Sequence, residues 1–242
     1  MRSEEVNAKL SASKMEAASL CPAYFQANKK FAWKADRDSA NEGTTRHENE
    51  ENQVPLEDIE DDERRLCAFR CRTALQECRE KVFGSNIDKG LVERELRLWV
   101  EESWSGQLDY AERFGVDVLI ADYKTLHGSH TSAPSNIQLL AQAVLYWHNN
   151  RDVENFYCAL IEPFNDVWYT TVKYTAKTLE EKSVWLNEVV AKSYEENPER
   201  IFGPKQCKWC SALWACPSAR SHLFSCIDIF KKMEEDKNGM DG

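Results

Sequence analysis

Residues 116–125 read VDVLIADYKT, and this run most constrains the fold. A nearly continuous apolar segment of that length is what a strand covered on both faces requires. It closes on Asp122 and Lys124, which lie two residues apart and so project from one face of a strand, with Tyr123 turned away. The preceding segment carries GQLD at 106–109, and if the two segments pair as a hairpin, Asp109 brings a second carboxylate to that face. An isolated Asp-x-Lys is ordinarily a surface ion pair. Here the acid ends an apolar strand, where a second carboxylate alongside is costly without a cation. Two carboxylates beside an ammonium are also what a divalent cation and an attacked phosphate require.

The chain of 242 residues, 42% hydrophobic, can bury a substantial core. Its formal net charge of −10 has the wrong sign for holding a polyanion through the global field, so any such ligand must be held locally. The acids are concentrated at 48–63, leaving Lys29, Lys30, Lys34, Lys205, Lys208 and Arg220 as a candidate basic patch. No stretch reaches the roughly 18 apolar residues of a membrane span, and the N-terminus lacks a secretory signal. The expected location is cytoplasmic, with no membrane partner, and there the nine cysteines read as thiols or metal ligands rather than disulfides.

Periodicity predicts a Pro22-interrupted helical segment over 11–34. A turn at Gly43 follows, feeding a short helix capped by Thr44 or Thr45, with His47 on its first turn. Residues 59–82 predict a long amphipathic helix whose apolar stripe runs through Leu66, Phe69, Leu75 and Val82, with Cys67, Cys71 and Cys78 alongside. Three strands follow, at 91–100, 105–113 and 115–124, as a meander. A helix over 135–150 then aligns Gln138, Gln142 and Tyr146, ahead of strands at 155–163 and 167–174 and a helix at 177–195. The fold class is therefore α/β, in the order α, βββ, α, ββ, α, with a cysteine-bearing tail.

Hydrolysis of a phosphodiester needs a nucleophilic water, charge neutralisation at the phosphate and help for the leaving oxygen. Asp109, Asp122 and Lys124 match those needs, and His47 adds a nitrogen that suits manganese better than magnesium.

GTTRHE (43–48), GQLD (106–109), DYKT (122–125) and QLLAQAVLY (138–146), in that order, resemble the motifs of the RecB-like branch of the PD-(D/E)XK nucleases. The resemblance implies an αβββαβ core with a mixed central sheet flanked by helices. It implies His47, Asp109 and Asp122 as ligands of Mg2+ or Mn2+, with the Tyr123 carbonyl as a further ligand. Lys124 would be the catalytic lysine and Gln138 an organiser of the active site. Two positions depart from the pattern: Asp122 stands where glutamate is commoner, and Gln142 where tyrosine is frequent.

Cys207, Cys210 and Cys216 form a C-x2-C-x5-C run that needs a fourth ligand, from Cys21 far upstream or from Cys226. A zinc site or unliganded thiols are the alternatives. The chain resembles the iron-sulfur subset of the same nucleases, found in the AddB subunit and in CRISPR-adaptation exonucleases, with one cysteine before the core and three after it. That resemblance implies a 4Fe-4S cluster on Cys21, Cys207, Cys210 and Cys216 that ties together the two chain ends. Cys67, Cys71, Cys78 and Cys158 are expected to be buried core thiols. Trp209 and Trp214, interleaved with the triplet, are expected chiefly to pack around the cluster.

The expected organisation is an N-terminal helical segment (1–40), a nuclease core (41–200) and a C-terminal cysteine segment (201–242). The expected function is a metal-dependent DNA nuclease, an exonuclease on single strands or duplex ends in recombination, repair or phage DNA processing, with a helicase or recombination protein as partner. The alternatives are a catalytically silent binding module of the same fold and a zinc-stabilised regulatory protein.

Overall fold

The computed structural model describes residues 9–31, 38–84, 87, 90–101, 103–128 and 130–238. It divides into two compact units: the described part of Met1–Met15 with Lys34–Asn187, and the described part of Glu16–Trp33 with Glu188–Gly242. Cys21 therefore belongs to the unit that carries the C-terminal cysteines. Lys34 lies outside the described residues.

The first unit is built on a six-stranded mixed sheet. Strands β2 (Leu91–Val100), β3 (Trp104–Phe114) and β4 (Asp117–Tyr123) form the meander expected from their alternation. The β3–β4 turn places Gly115 at φ +60°, a conformation that glycine adopts without the clash of a Cβ. Strand β5 (Asn155–Ile161) joins β4 in parallel, which is why β4 is apolar throughout, and β6 (Tyr169–Thr175) closes the edge antiparallel to β5. The two-residue strand β1 (Leu10–Ser11), not foreseen from the sequence, pairs in parallel with Trp104 and Ser105 of β3.

β3 pairs with β2 along one edge and with β4 along the other through residues 110–114, while β1 takes its start on that second edge. Residues 106–109 lie between the β1 and β4 pairings, and no strand partner is recorded for them on that edge. β4 leaves the β3 ladder after Ala121, still paired with β5 through Tyr123. The sheet splits at that point.

Helices cover both faces. Helix α1 (Met15–Leu20) and helix α2 (Tyr24–Lys30) come first, then α3 (Asp38–Glu51), α4 (Asp62–Phe83) and α5 (Ile137–Asn149). The Asp61 carboxylate accepts the Arg64 N–H to cap α4, and the Asn136 side chain accepts the Leu139 N–H to cap α5. Tyr123 and Ala121 sit with the α4 side chains Cys67, Cys71 and Cys78 in one core cluster, whereas Asp122 meets α5; the two helices therefore lie on opposite faces of β4. Each large side chain fully buried in such a core contributes about 1.5–3 kcal/mol.

Two sequence expectations need correction. Leu66 and Phe69 are 41% and 48% exposed, and the buried face of α4 is formed by Cys67, Cys71, Ala74, Leu75 and Cys78. Small thiols with Ala74 and Leu75, rather than Leu66 and Phe69, mark its core stripe. Gly43 makes no turn; it lies inside α3, where an added Cβ would stand 3.4 Å from Leu126. His47 accordingly sits well along the helix rather than on its first turn.

The second unit holds α1 from Glu16 onward, α2, the end of α6 (Ala176–Ser193), the short α7 (Pro204–Cys207) and α8 (Pro217–Asn238). Gln26 donates to the Ser193 and Glu195 carbonyls, and Asn28 accepts the Ser211 N–H, so α2 is fastened to the C-terminal segment. Trp209 is 76% and Trp214 65% exposed, and the Trp214 ring meets that of Phe31 edge-on at 5.6 Å.

Candidate active site

Asp109 and Asp122 would be the next antiparallel pair after Tyr110 and Ala121, but the ladder stops there. In place of a carbonyl from β3, the Asp109 carboxylate accepts the Tyr123 N–H at 2.8 Å. The side chain thus takes over the backbone bond lost at the split, which fixes its position. Burial, then the neighbouring Asp122 charge, hold the Asp109 carboxyl well above the usual carboxylate range, with the Tyr123 N–H opposing them.

Asp122, only 2% exposed, is held by three side chains. Its Oδ1 accepts from Gln138 Nε2 at 2.7 Å and from Gln142 Nε2 at 2.9 Å, one helical turn apart on α5. Its Oδ2 lies 2.6 Å from Lys124 Nζ in an ion pair, yet has no aligned hydrogen-bond donor among the described residues. Lys124 Nζ also donates to Gln138 Oε1 at 3.0 Å, and the Lys124 N–H donates to the Ile161 carbonyl at 2.8 Å, so lysine position is set by β5 as well as by α5. Burial disfavours the ammonium, but the charges of Asp122 and Asp109 outweigh it and hold Lys124 above its usual value.

His47 Nδ1 stands 3.6 Å from Asp109 Oδ2. Burial lowers its pKa, which keeps a neutral, metal-competent imidazole at neutral pH. The preceding residue anchors the helix: Arg46, buried, donates to Glu42 and Glu63 and to the Thr125 carbonyl at 2.8 Å, just beyond Lys124. The histidine is thereby registered against the end of β4.

Sequence reasoning missed Glu95. It lies in the alternating strand LVERELRLWV, where it reads as one more outward-facing acid. In the fold it falls between the Arg94–Tyr110 and Leu96–Leu108 pairs, level with Asp109 where the β2–β3 pairing is interrupted, with a left-handed φ of +49° that is uncommon away from glycine. One ligand atom each from His47, Glu95 and Asp109 lie within 4.8 Å of one another, the one such group of three among the described residues. Burial raises the Glu95 carboxyl, and Gln107 donates to it. This nitrogen-and-oxygen set, with the Asp122 charge close to all three, fits a hard or borderline divalent cation. No sequence signal separates Glu95 from Glu93; only the register does.

In the second unit Cys21, Cys207, Cys210 and Cys216 come together. Burial raises the Cys21 and Cys210 thiols, and the neighbouring cysteines raise them further. Ile201 N–H donates to Cys21 Sγ at 3.4 Å, Gly203 N–H to Cys207 Sγ at 3.5 Å, and Asn28 Nδ2 to Cys210 Sγ at 3.7 Å. N–H donors of this kind favour thiolates. Cys226 contacts His222 instead, at 3.6 Å.

No family model and no curated protein matches this chain. Among solved structures, a candidate exonuclease from Eubacterium rectale shares 11% identity over 90% of this chain and 89% of its own, with a TM-score of 0.46. A phage-related exonuclease from Haemophilus somnus 129PT shares 12% identity over 77% of this chain and 93% of its own, with a TM-score of 0.34. At such scores the likeness decides nothing about this chain.

Proposed function

We propose that this chain is a divalent-cation-dependent deoxyribonuclease, an exonuclease acting on single strands or duplex ends in recombination, repair or phage DNA processing. The observation that carries the reading is the convergence at the split between β3 and β4: two opposed carboxylates, one ammonium and one imidazole. A fold gains no stability from placing Asp109 beside Asp122, so their juxtaposition calls for a cation.

His47, Asp109, Glu95 and Asp122 would hold Mg2+ or Mn2+, which when bound neutralises the phosphate and lowers the pKa of the attacking water. Lys124 keeps an ammonium against Asp122 and can donate toward the charge that develops on the phosphate oxygens. Gln138 and Gln142 fix the Asp122 rotamer, and Gln138 also fixes Lys124, so α5 positions both partners. The four clustered thiols would hold a 4Fe-4S cluster.

The test is manganese-dependent digestion of end-labelled single- and double-stranded DNA. Asp109→Ala, Asp122→Ala and Lys124→Ala should each lose at least roughly a hundredfold in rate while remaining folded. Undiminished cleavage by all three refutes the assignment.

A further inference from the structure

A cleft of about 420 Å³ opens beside the carboxylates, sharing Glu95, Asp109 and Gln138 with the candidate site. Its far wall is of opposite character. The segment Lys9–Lys14 supplies two lysines with Ser11 and Ser13, and β2 supplies Arg97. In a chain of net charge −10, three cations lining one cleft next to a candidate cation site form a local exception.

The fold builds this wall specifically. β1 pairs with the start of β3, and Gly106 has no Cβ to obstruct Ala12, which lets the Ser-Ala-Ser-Lys turn close over the strand. Ser11 and Ser13 hydroxyls lie 3.0 Å apart. Arg97 donates to Ser105 and Gln107, which are neutral acceptors, so no carboxylate is hydrogen-bonded to its guanidinium among the described residues. A half-buried guanidinium whose hydrogen-bond acceptors are neutral, with the Glu95 charge nearby but assigned above to the cation site, favours an anion in its cleft.

We infer that this cleft seats the phosphodiester of the nucleotide adjacent to the reacting one, held by Lys9, Lys14 and Arg97 with the Ser11 and Ser13 hydroxyls as neutral donors. The inference rests on the proposed nuclease reading and adds to it the path of the strand. Phosphate oxygens accept from Lys, Arg and Ser alike, and such contacts set register without reading sequence. The cleft therefore predicts strand binding that is indifferent to base identity and sensitive to salt.

The experiment measures binding of a labelled oligo-dT to the full chain by fluorescence anisotropy across a salt series, with calcium in place of manganese. Lys14→Ala and Lys9→Ala should each weaken binding severalfold and flatten the slope of log affinity against log salt by about 0.7, the value for one lost single-strand contact. Lys14→Arg should keep both, and unchanged thermal melts show that the variants are folded. Wild-type slopes and affinities in both alanine variants overturn the inference. So does thymidine monophosphate bound as tightly as the oligonucleotide, since the cleft would then take a free nucleotide. Because binding is read without cleavage, a catalytically inert Asp109 variant bears on the nuclease reading alone.

Discussion

Asp109 and Asp122 face each other one register step beyond the last paired residues of β3 and β4, and only the Asp109 carboxylate has replaced the missing ladder bond. The arrangement sets two carboxylates side by side where the recorded ion pair of the one ammonium, Lys124, is with Asp122. The cation-free protein therefore carries a repulsion that a divalent ion would relieve.

Adding Mn2+ at about a hundredfold above its dissociation constant should stabilise the folded chain by about 2.7 kcal/mol, a rise of about 5 to 10 °C in Tm for a protein of this size. Asp109→Asn removes one ligand charge and the repulsion together, so the variant should melt at or above the cation-free wild type and respond little to Mn2+. A Mn2+-induced shift in the variant equal to that of the wild type would show that the ion binds elsewhere.

The meander and α5 were legible in the sequence because their patterns are local: alternation in 91–100, an apolar run in 116–121, and Gln138 and Gln142 one turn apart. Glu95 was not legible, because its role comes from the register of β2 against β3 and from a backbone twist that nothing in LVEREL announces. Gly43 misled for a related reason. Glycine usually marks a turn, but the Glu42–Arg46 pair spans it within one helical turn, and Leu126 fills the space a side chain would take. The Leu66 and Phe69 stripe failed because cysteines and alanine offered a second, smaller-residue stripe on the same helix, and the sheet took that one. The cysteine quartet was readable as a spacing, whereas the N–H donors around it come from backbone placed by the fold.

Glu42 ties α3 to α4 by accepting from Arg64 and Arg46, and these two guanidinium groups hold its carboxyl down at about 2. A depressed folded pKa contributes stability that is present above the ordinary value of 4.5 and is lost as pH falls through about 2. Acid unfolding followed by circular dichroism should therefore steepen within that window, and Glu42→Gln should flatten it while lowering stability at neutral pH. Identical acid profiles would mean that the Arg46 anchor beside His47 does not depend on this pair.

The cysteine quartet makes its own prediction. Protein purified without oxygen should be brown and carry about four iron atoms per chain. Cys21→Ser should remove the visible absorption, while Cys226→Ser, whose thiol contacts only His222 among its recorded partners, should keep it. One zinc and no iron under those conditions would rule out the cluster and leave a zinc site.

Gly106 is the position where core packing and the phosphate cleft meet. A Cβ there would stand 2.6 Å from Leu145 Cδ1 and 2.8 Å from the Ala12 Cβ, and Leu145 is fully buried, so neither neighbour has open space to retreat into. Gly106→Ala should cost about 1–3 kcal/mol, as overpacking does, and should push the Ser-Ala-Ser-Lys turn off β3. Gly115→Ala is the control: nothing lies within 4 Å of its added Cβ, but its φ of +60° strains an alanine, so it should lose stability without touching the cleft. Thermal melts paired with oligo-dT binding separate the two. Gly106→Ala should lose both stability and affinity, Gly115→Ala stability alone, and equal affinities in the two variants would show that the turn over Gly106 takes no part in holding the strand.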